Sequence, residues 1–129
     1  MEMPTPNAHV LMRKAQIVAR LEEVLPGDAV ISDERETHAY ECDALTAYKC
    51  PPLCAVLPAN TEEVAAVLKI CHEMGVPVVP RGSGTSLAGG ALPTADCVIL
   101  GVAKMNDVIE TNYDDRYIRV QTGRTNLSV

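Results

Sequence analysis

The sequence predicts an α+β fold, a small layer of parallel strands with helices followed by the start of an antiparallel sheet. Three observations carry that reading. Ala55-Val56-Leu57 and Val76-Pro77-Val78-Val79 are short continuous apolar runs, as buried strands are. A helical pattern lies between them, so the unit is strand–helix–strand, with parallel strands and a right-handed crossover. A third apolar run, Cys97–Leu100, follows a glycine-rich stretch. Val108–Thr111 and Tyr117–Val120 then flank a polar turn, which signals a hairpin. The hairpin argues against a doubly wound α/β sheet, in which the chain would return to helix.

The elements follow in order. Residues 1–6 hold two prolines and read as a frayed tail. Asn7 can cap a helix whose apolar positions Val10, Leu11, Ile17, Val18, Leu21, Val24 and Leu25 recur at helical spacing, broken only by Lys14. Pro26-Gly27-Asp28 stops it. Val30-Ile31 is a short extended piece, and Asp33–Tyr40 a charged helical turn. Residues 41–52 show no period, and Pro51-Pro52 enforces extended chain. Asn60 caps the next helix, with Glu63 three residues on as in a capping box. Val64, Val67, Leu68, Cys71 and Met74 form one apolar stripe, and Gly75 is the natural stop.

Composition bounds the function. The chain has 129 residues, 47% hydrophobic and 22% charged, which excludes disorder and suits one domain or a piece of a larger one. With four Tyr and neither Trp nor Phe, the core is aliphatic and offers no stacking platform for bases. Eleven basic against seventeen acidic residues, with no basic stripe, argue against nucleic acid and against a polybasic membrane anchor. No apolar stretch approaches a membrane span, and the first residues show no secretory signal.

The five cysteines, at 42, 50, 54, 71 and 97, are odd in number and lack C-x-x-C, so they read as reduced thiols packed as small hydrophobes. A reactive thiol, if present, is expected at Cys50 or Cys54, where prolines open the chain. No metal site is expected, because Cys71 and His72 are helix neighbours that face apart. His9, His38 and His72 read as surface or packing residues.

The chemical signal is concentrated in Pro80-Arg81-Gly82-Ser83-Gly84-Thr85-Ser86-Leu87-Ala88-Gly89-Gly90. A glycine-rich loop directly after a parallel strand puts bare backbone at the carboxyl edge of the sheet, where open α/β sheets bind ligands. Successive N–H groups there form an anion nest suited to phosphate or pyrophosphate, and Thr85 and Ser86 add hydroxyls. Arg81 adds a positive charge, assigned to the loop or to the pyrophosphate. Two known motifs fail. The nucleotide P-loop would need Lys and Ser/Thr where Gly90 and Ala91 stand, and the dinucleotide fingerprint would need Gly where Leu87 stands. The plain alternative is a tight turn, which rarely needs four glycines.

At this loop the sequence resembles a known family. P-R-G-S-G-T-S-L-A-G-G, preceded by P-A-N-T-E-E-V and V-P-V-V, looks like the FAD-linked oxidases of the vanillyl-alcohol oxidase (PCMH-type) fold. Within them it is most similar to the bacterial glycolate oxidase FAD-binding subunit and its D-lactate and D-2-hydroxyglutarate dehydrogenase relatives. Y-E-C-D-A-L-T-A-Y at 40–48, G-G-A-L-P at 89–93, K-M-N at 104–106 and V-Q-T-G at 120–123 fit as well. The resemblance implies that Pro80, Arg81, Gly82, Ser83, Gly84, Thr85 and Ser86 wrap the FAD pyrophosphate and that Gly89 and Gly90 continue the loop. Gly123 would lie in a strand-to-helix turn near the flavin. Covalent relatives carry R-x-G-G-H. Here Thr85 stands in place of that His, so FAD is expected to be non-covalent.

The resemblance further implies residues 1–50 as a helical lead-in and 51–129 as the N-terminal part of a longer PCMH-type domain, with the substrate domain absent. No catalytic residue is then expected in this chain. Tyr40, Tyr48 and Lys49 are either a substrate mouth or a structural lead-in. The favoured function is the FAD-binding part of a flavin-dependent 2-hydroxy-acid oxidoreductase. The alternatives are a free-standing nucleotide or phosphate binder and an interaction fragment that self-associates or joins partner subunits. The expected location is cytoplasmic or peripheral to the inner membrane through such partners.

Overall fold

Asn7 opens the first helix in the computed structural model, which describes residues 3–129; Met1 and Glu2 of the expected tail lie outside the described residues. The Asn7 side chain accepts from the His9 amide at 3.0 Å, and its own amide donates to Asp96 Oδ2 at 2.8 Å. The expected single helix is two, α1 (Ala8–Met12) and α2 (Lys14–Glu22), broken at Arg13. Arg13 donates to the His9 carbonyl at 3.1 Å and, across the fold, to the Met74 carbonyl at 2.8 Å. Val10, Ile17, Leu21 and Leu25 are buried, whereas Leu11 and Val24 face solvent.

Strand β1 (Val30–Ile31) pairs antiparallel with β2 (Cys54–Val56), so the lead-in contributes an edge to the main sheet. Between them Asp33 caps the short helix α3 (Glu34–Thr37). The long helix α4 (Thr61–Met74) is capped as its sequence predicts: Glu63 N donates to Asn60 Oδ1 at 2.8 Å, and Glu63 Oε2 accepts from Ala59 N at 2.8 Å. Gly75 ends it with φ 65° and ψ 36°, a left-handed turn natural to glycine. The buried stripe is rotated from the expected one. Ile70 joins Val67 and Cys71 inside, and Leu68 turns outward at 45% exposure. Both stripes satisfy helical spacing, and the packing partners choose between them.

The strands β3 (Val78–Arg81) and β4 (Val98–Gly101) complete a four-stranded sheet of order β1-β2-β4-β3, in which β2, β4 and β3 are parallel. The third apolar run thus inserts between the first two. β4 is buried along its length, while β3, expected as a buried strand, is an edge with Val78 and Val79 only half-buried. An edge position tolerates Pro80, which has no N–H to give a neighbour. β5 (Val108–Asn112) and β6 (Tyr117–Val120) form the expected hairpin as a separate two-stranded sheet, with an irregular register between Val108 and Glu110.

One face of the main sheet carries the larger core, built from α1, α2, α4 and residues such as Val56, Val98 and Leu100. On the other face Ala55, Cys97 and Ile99 pack with Ile31, Val79 and Tyr40. Among the described residues no helix is long and apolar enough to cross a membrane.

Cys54 corrects the expectation of an open-chain thiol, because it lies wholly buried in β2. Burial pushes its thiol up to about 12, and pushes Cys71 and Cys97 each up to about 11. Cys42 and Cys50 are half-buried. Thiol titration of the native chain at neutral pH should therefore label Cys42 and Cys50 alone, and the other three only after denaturation. Rapid native labelling of Cys54 would contradict this packing.

Candidate functional site

The parallel strands present their carboxyl ends at one edge of the sheet, and β3 opens there into the loop 82–97. Arg81 pairs with Gly101 in register, and the Arg81 carbonyl accepts from Val102 N at 3.0 Å. Both strands therefore stop at the same level. Gly101 is a close-approach position, since a Cβ there would lie 2.7 Å from Leu57 Cδ2. Val102–Met105 forms a tight turn, and Gly123 seals against it by donating its amide to the Met105 carbonyl at 2.8 Å. A Cβ on Gly123 would lie 2.7 Å from that oxygen and closer still to the Val102 carbonyl. Gly123 is thus required by backbone contact, in a turn that follows β6 and leads to a short helical turn at Asn126–Ser128.

Within the loop, Gly84 and Gly89 have φ of 71° and 78°, left-handed values that glycine adopts without strain. Ser86 Oγ accepts from the amides of Ala88 and Gly90 at 3.2 and 3.3 Å, folding the second half of the loop onto itself. The amides of Gly82, Ser83, Gly84, Thr85, Ser86 and Leu87 make no hydrogen bond among the described residues. Gly82 faces open space, with no atom within 4 Å of where a Cβ would stand. The expected residues thus divide by position. Gly82 to Ser86 form the open run of donors, Gly89 bends the loop, and the Gly90 amide is taken by Ser86. Pro80 and Arg81 belong to β3, and Gly123 joins from the opposite side of the Val102 turn.

The one cation of the loop points inward. Arg81 Nη1 donates to the Cys42 carbonyl at 2.7 Å, and the guanidinium lies 5.8 Å from the centroid of the Tyr40 ring. It also rests against Gly84, where a Cβ would collide with it. Leu45 reaches to within 4.0 Å of the Cβ position of Gly89. Between these contacts Asp43 is buried at 4% exposure; its Oδ1 accepts from Leu45 N at 2.9 Å, and its Oδ2 has no partner among the described residues. The segment 40–45 therefore underlies the loop, a role that no spacing in the sequence indicates. Lys49 is likewise engaged, pairing with Glu41 at 3.0 Å, and His38 and Lys49 together hold the Glu41 carboxyl below the usual carboxylate range. Two clefts lie elsewhere, of about 260 Å³ beside Lys14, Thr37 and Pro52 and about 410 Å³ beside Tyr113 and Tyr117. Among the described residues no group of three or more His, Cys, Asp or Glu could hold a metal.

Consecutive open amides, free hydroxyls and bare glycine backbone at a strand's carboxyl end make a donor set of the kind that receives an anion. Loops of this kind, at the carboxyl ends of parallel strands, recur in cofactor-binding domains. Residues 52–129 match the FAD binding domain family, and the chain belongs to it; FAD is the cofactor of this family. It is 41% identical over 116 residues to the glycolate oxidase subunit GlcD of Escherichia coli, covering 90% of this chain and 23% of that protein. It is 35% identical to the mitochondrial D-lactate dehydrogenase [cytochrome] of Kluyveromyces lactis, covering 84% of this chain and 20% of that one. The chain thus spans about a quarter or less of the curated relatives named here. Among solved structures, p-cresol methylhydroxylase superposes with a TM-score of 0.81 at 24% identity, over 98% of this chain and 25% of that one. Alkyldihydroxyacetonephosphate synthase superposes at 0.78 and 19% identity, over 99% and 25%. These two share the fold, a PCMH-type FAD-binding domain.

Two glycines separate structure from binding. Gly123→Ala should lower the unfolding free energy by roughly 1–3 kcal/mol, because the added methyl meets backbone that cannot yield. Gly82→Ala should leave thermal unfolding within about 0.5 kcal/mol of the parent yet weaken FAD uptake. Equal losses of stability in both variants would contradict the geometry.

Proposed function

We propose that this chain forms the pyrophosphate half of the FAD site of a flavin-dependent oxidoreductase acting on a 2-hydroxy acid of the glycolate or D-lactate kind. The observation that carries it is the open amide run Gly82–Leu87 at the carboxyl end of β3. The glycolate oxidase and D-lactate dehydrogenase relatives support the substrate class. When bound, FAD accepts the hydride leaving the substrate α-carbon. The chain's own share is binding and orientation: backbone donors meet a doubly charged diphosphate, and Ser83 and Thr85 supply hydroxyls beside it. Thr85 has no nucleophilic ring nitrogen, so the cofactor is held without a covalent bond.

The hairpin supports a role in assembly. Ile109, Tyr113 and Tyr117 of the hairpin are exposed, as are Leu127 and Val129 beyond it, the kind of exposed apolar surface that marks interaction sites. Contact with a second copy or with other subunits of an oxidase complex would cover it, and such partners would place the protein at the cytoplasmic face of a membrane.

Titration of the chain with FAD, followed by visible absorption after dialysis and after acid precipitation, tests the reading. The flavin band should survive dialysis and pass wholly into the acid supernatant, with ADP competing weakly. A folded chain that takes up no flavin, or that binds ADP or inorganic phosphate as well as FAD, would overturn it.

A further inference from the structure

The Arg81 guanidinium is the only positive charge in the loop, and three contacts with the protein itself engage it. Its Nη1 donates to the Cys42 carbonyl at 2.7 Å, its central carbon lies 5.8 Å from the centroid of the Tyr40 ring, and it fills the space where a Cβ on Gly84 would stand. These partners come from opposite ends of the fold. Tyr40 and Cys42 belong to the lead-in, before the residues that match the FAD-binding family, while Gly84 is the left-handed turn at the centre of the donor run. Tyr40 is itself held, since it packs against the buried cluster of Ala55, Cys97 and Ile99 on the second face of the sheet. The neighbouring turn is also held, by Asp43 Oδ1 on Leu45 N, and it carries the Leu45 side chain up to Gly89. The lead-in thus reaches both left-handed glycines of the loop, Gly84 through Arg81 and Gly89 through Leu45.

We propose that Arg81 is a positioning residue rather than a pyrophosphate ligand. It ties the Gly84 turn to Tyr40 and Cys42 and makes residues 40–45 the floor of the cofactor site. This rests on reading the loop as the FAD cradle. A loop of this kind would sample many shapes alone. A planar fork with a fixed acceptor and a fixed ring beneath it selects one, so less ordering remains to be done when the anion arrives. Lysine would keep the charge without the fork, and the chain places arginine there.

Amide exchange measured by NMR without FAD tests the clamp directly. Ala88 and Gly90, whose amides bond Ser86 Oγ, report the loop; Val98, whose amide bonds the Pro77 carbonyl at 2.9 Å, reports the sheet. Arg81→Ala and Tyr40→Leu should each raise exchange at Ala88 and Gly90 by about tenfold while Val98 is unchanged. Arg81→Lys should behave like Arg81→Ala. Should Arg81→Ala fail to fold, Tyr40→Leu carries the test, because it keeps Arg81 and removes only the ring. Unchanged loop exchange in Tyr40→Leu, or full restoration by Arg81→Lys, would overturn the proposal. If loop exchange rises as expected but the parent chain takes up no FAD, the clamp stands and the cofactor reading falls.

Discussion

The central strand β4 is the element on which the others depend. It lies between β2 and β3, parallel to both, and its residues are buried on both faces. A strand so placed satisfies every backbone group through its neighbours and seals two apolar layers at once. Its last residue, Gly101, stands opposite Arg81, and the next amide closes onto the Arg81 carbonyl. That single register sets where β3 ends, where the loop begins and which side of the sheet the loop leaves from. It also sets the position of the Val102 turn, onto which Gly123 packs from the hairpin side. The site residues at 80–90 and at 123 are therefore joined through β4 and not directly.

Charge explains why the loop relies on backbone. The chain carries a formal net charge of −6, which does not attract an anion at long range. At physiological salt that repulsion fades beyond roughly 8 Å. Close in, the unpaired amides of Gly82–Leu87 are fixed dipoles that offer an anion donors without added charge. Arg81, engaged by Cys42, Tyr40 and Gly84, adds the one positive charge next to these amides. Hydroxyls at Ser83 and Thr85 add donors without adding charge. The balance suits a cofactor that must be held firmly and remain exchangeable.

The lead-in is the part of the fold whose purpose the family match alone would not reveal. Its helices α1 and α2 complete the larger core, with Ile17 and Leu21 fully buried. Its strand β1 covers the free side of β2. Its irregular stretch at 40–45 crosses the second face of the sheet and reaches the loop. Irregular chain can be this well placed because each of its anchors is specific: a ring on an aliphatic face, a carbonyl under a guanidinium, and an Asp43 turn.

Much of this was legible in the residues. The helix caps at Asn7 and Asn60, the stop at Gly75, the hairpin over 108–120 and the chemistry of the loop all depend on neighbours within a few positions, and local pattern reports local forces. The break at Arg13 was not legible; the Arg13 side chain there reaches the Met74 carbonyl at the far end of α4, a partner sixty-one positions away. The same holds for Ile70 replacing Leu68 in the core, for β3 lying at the edge and for Cys54 being sealed in β2. By itself the sequence determined most of the helices and strands and marked the glycine-rich loop at 80–90 as the place where an anion is expected. Tertiary structure alone decided the strand order, the face each helix buries and the clamp on Arg81. Those depend on contacts between residues tens of positions apart, whose free energy exists only once the chain has closed on itself.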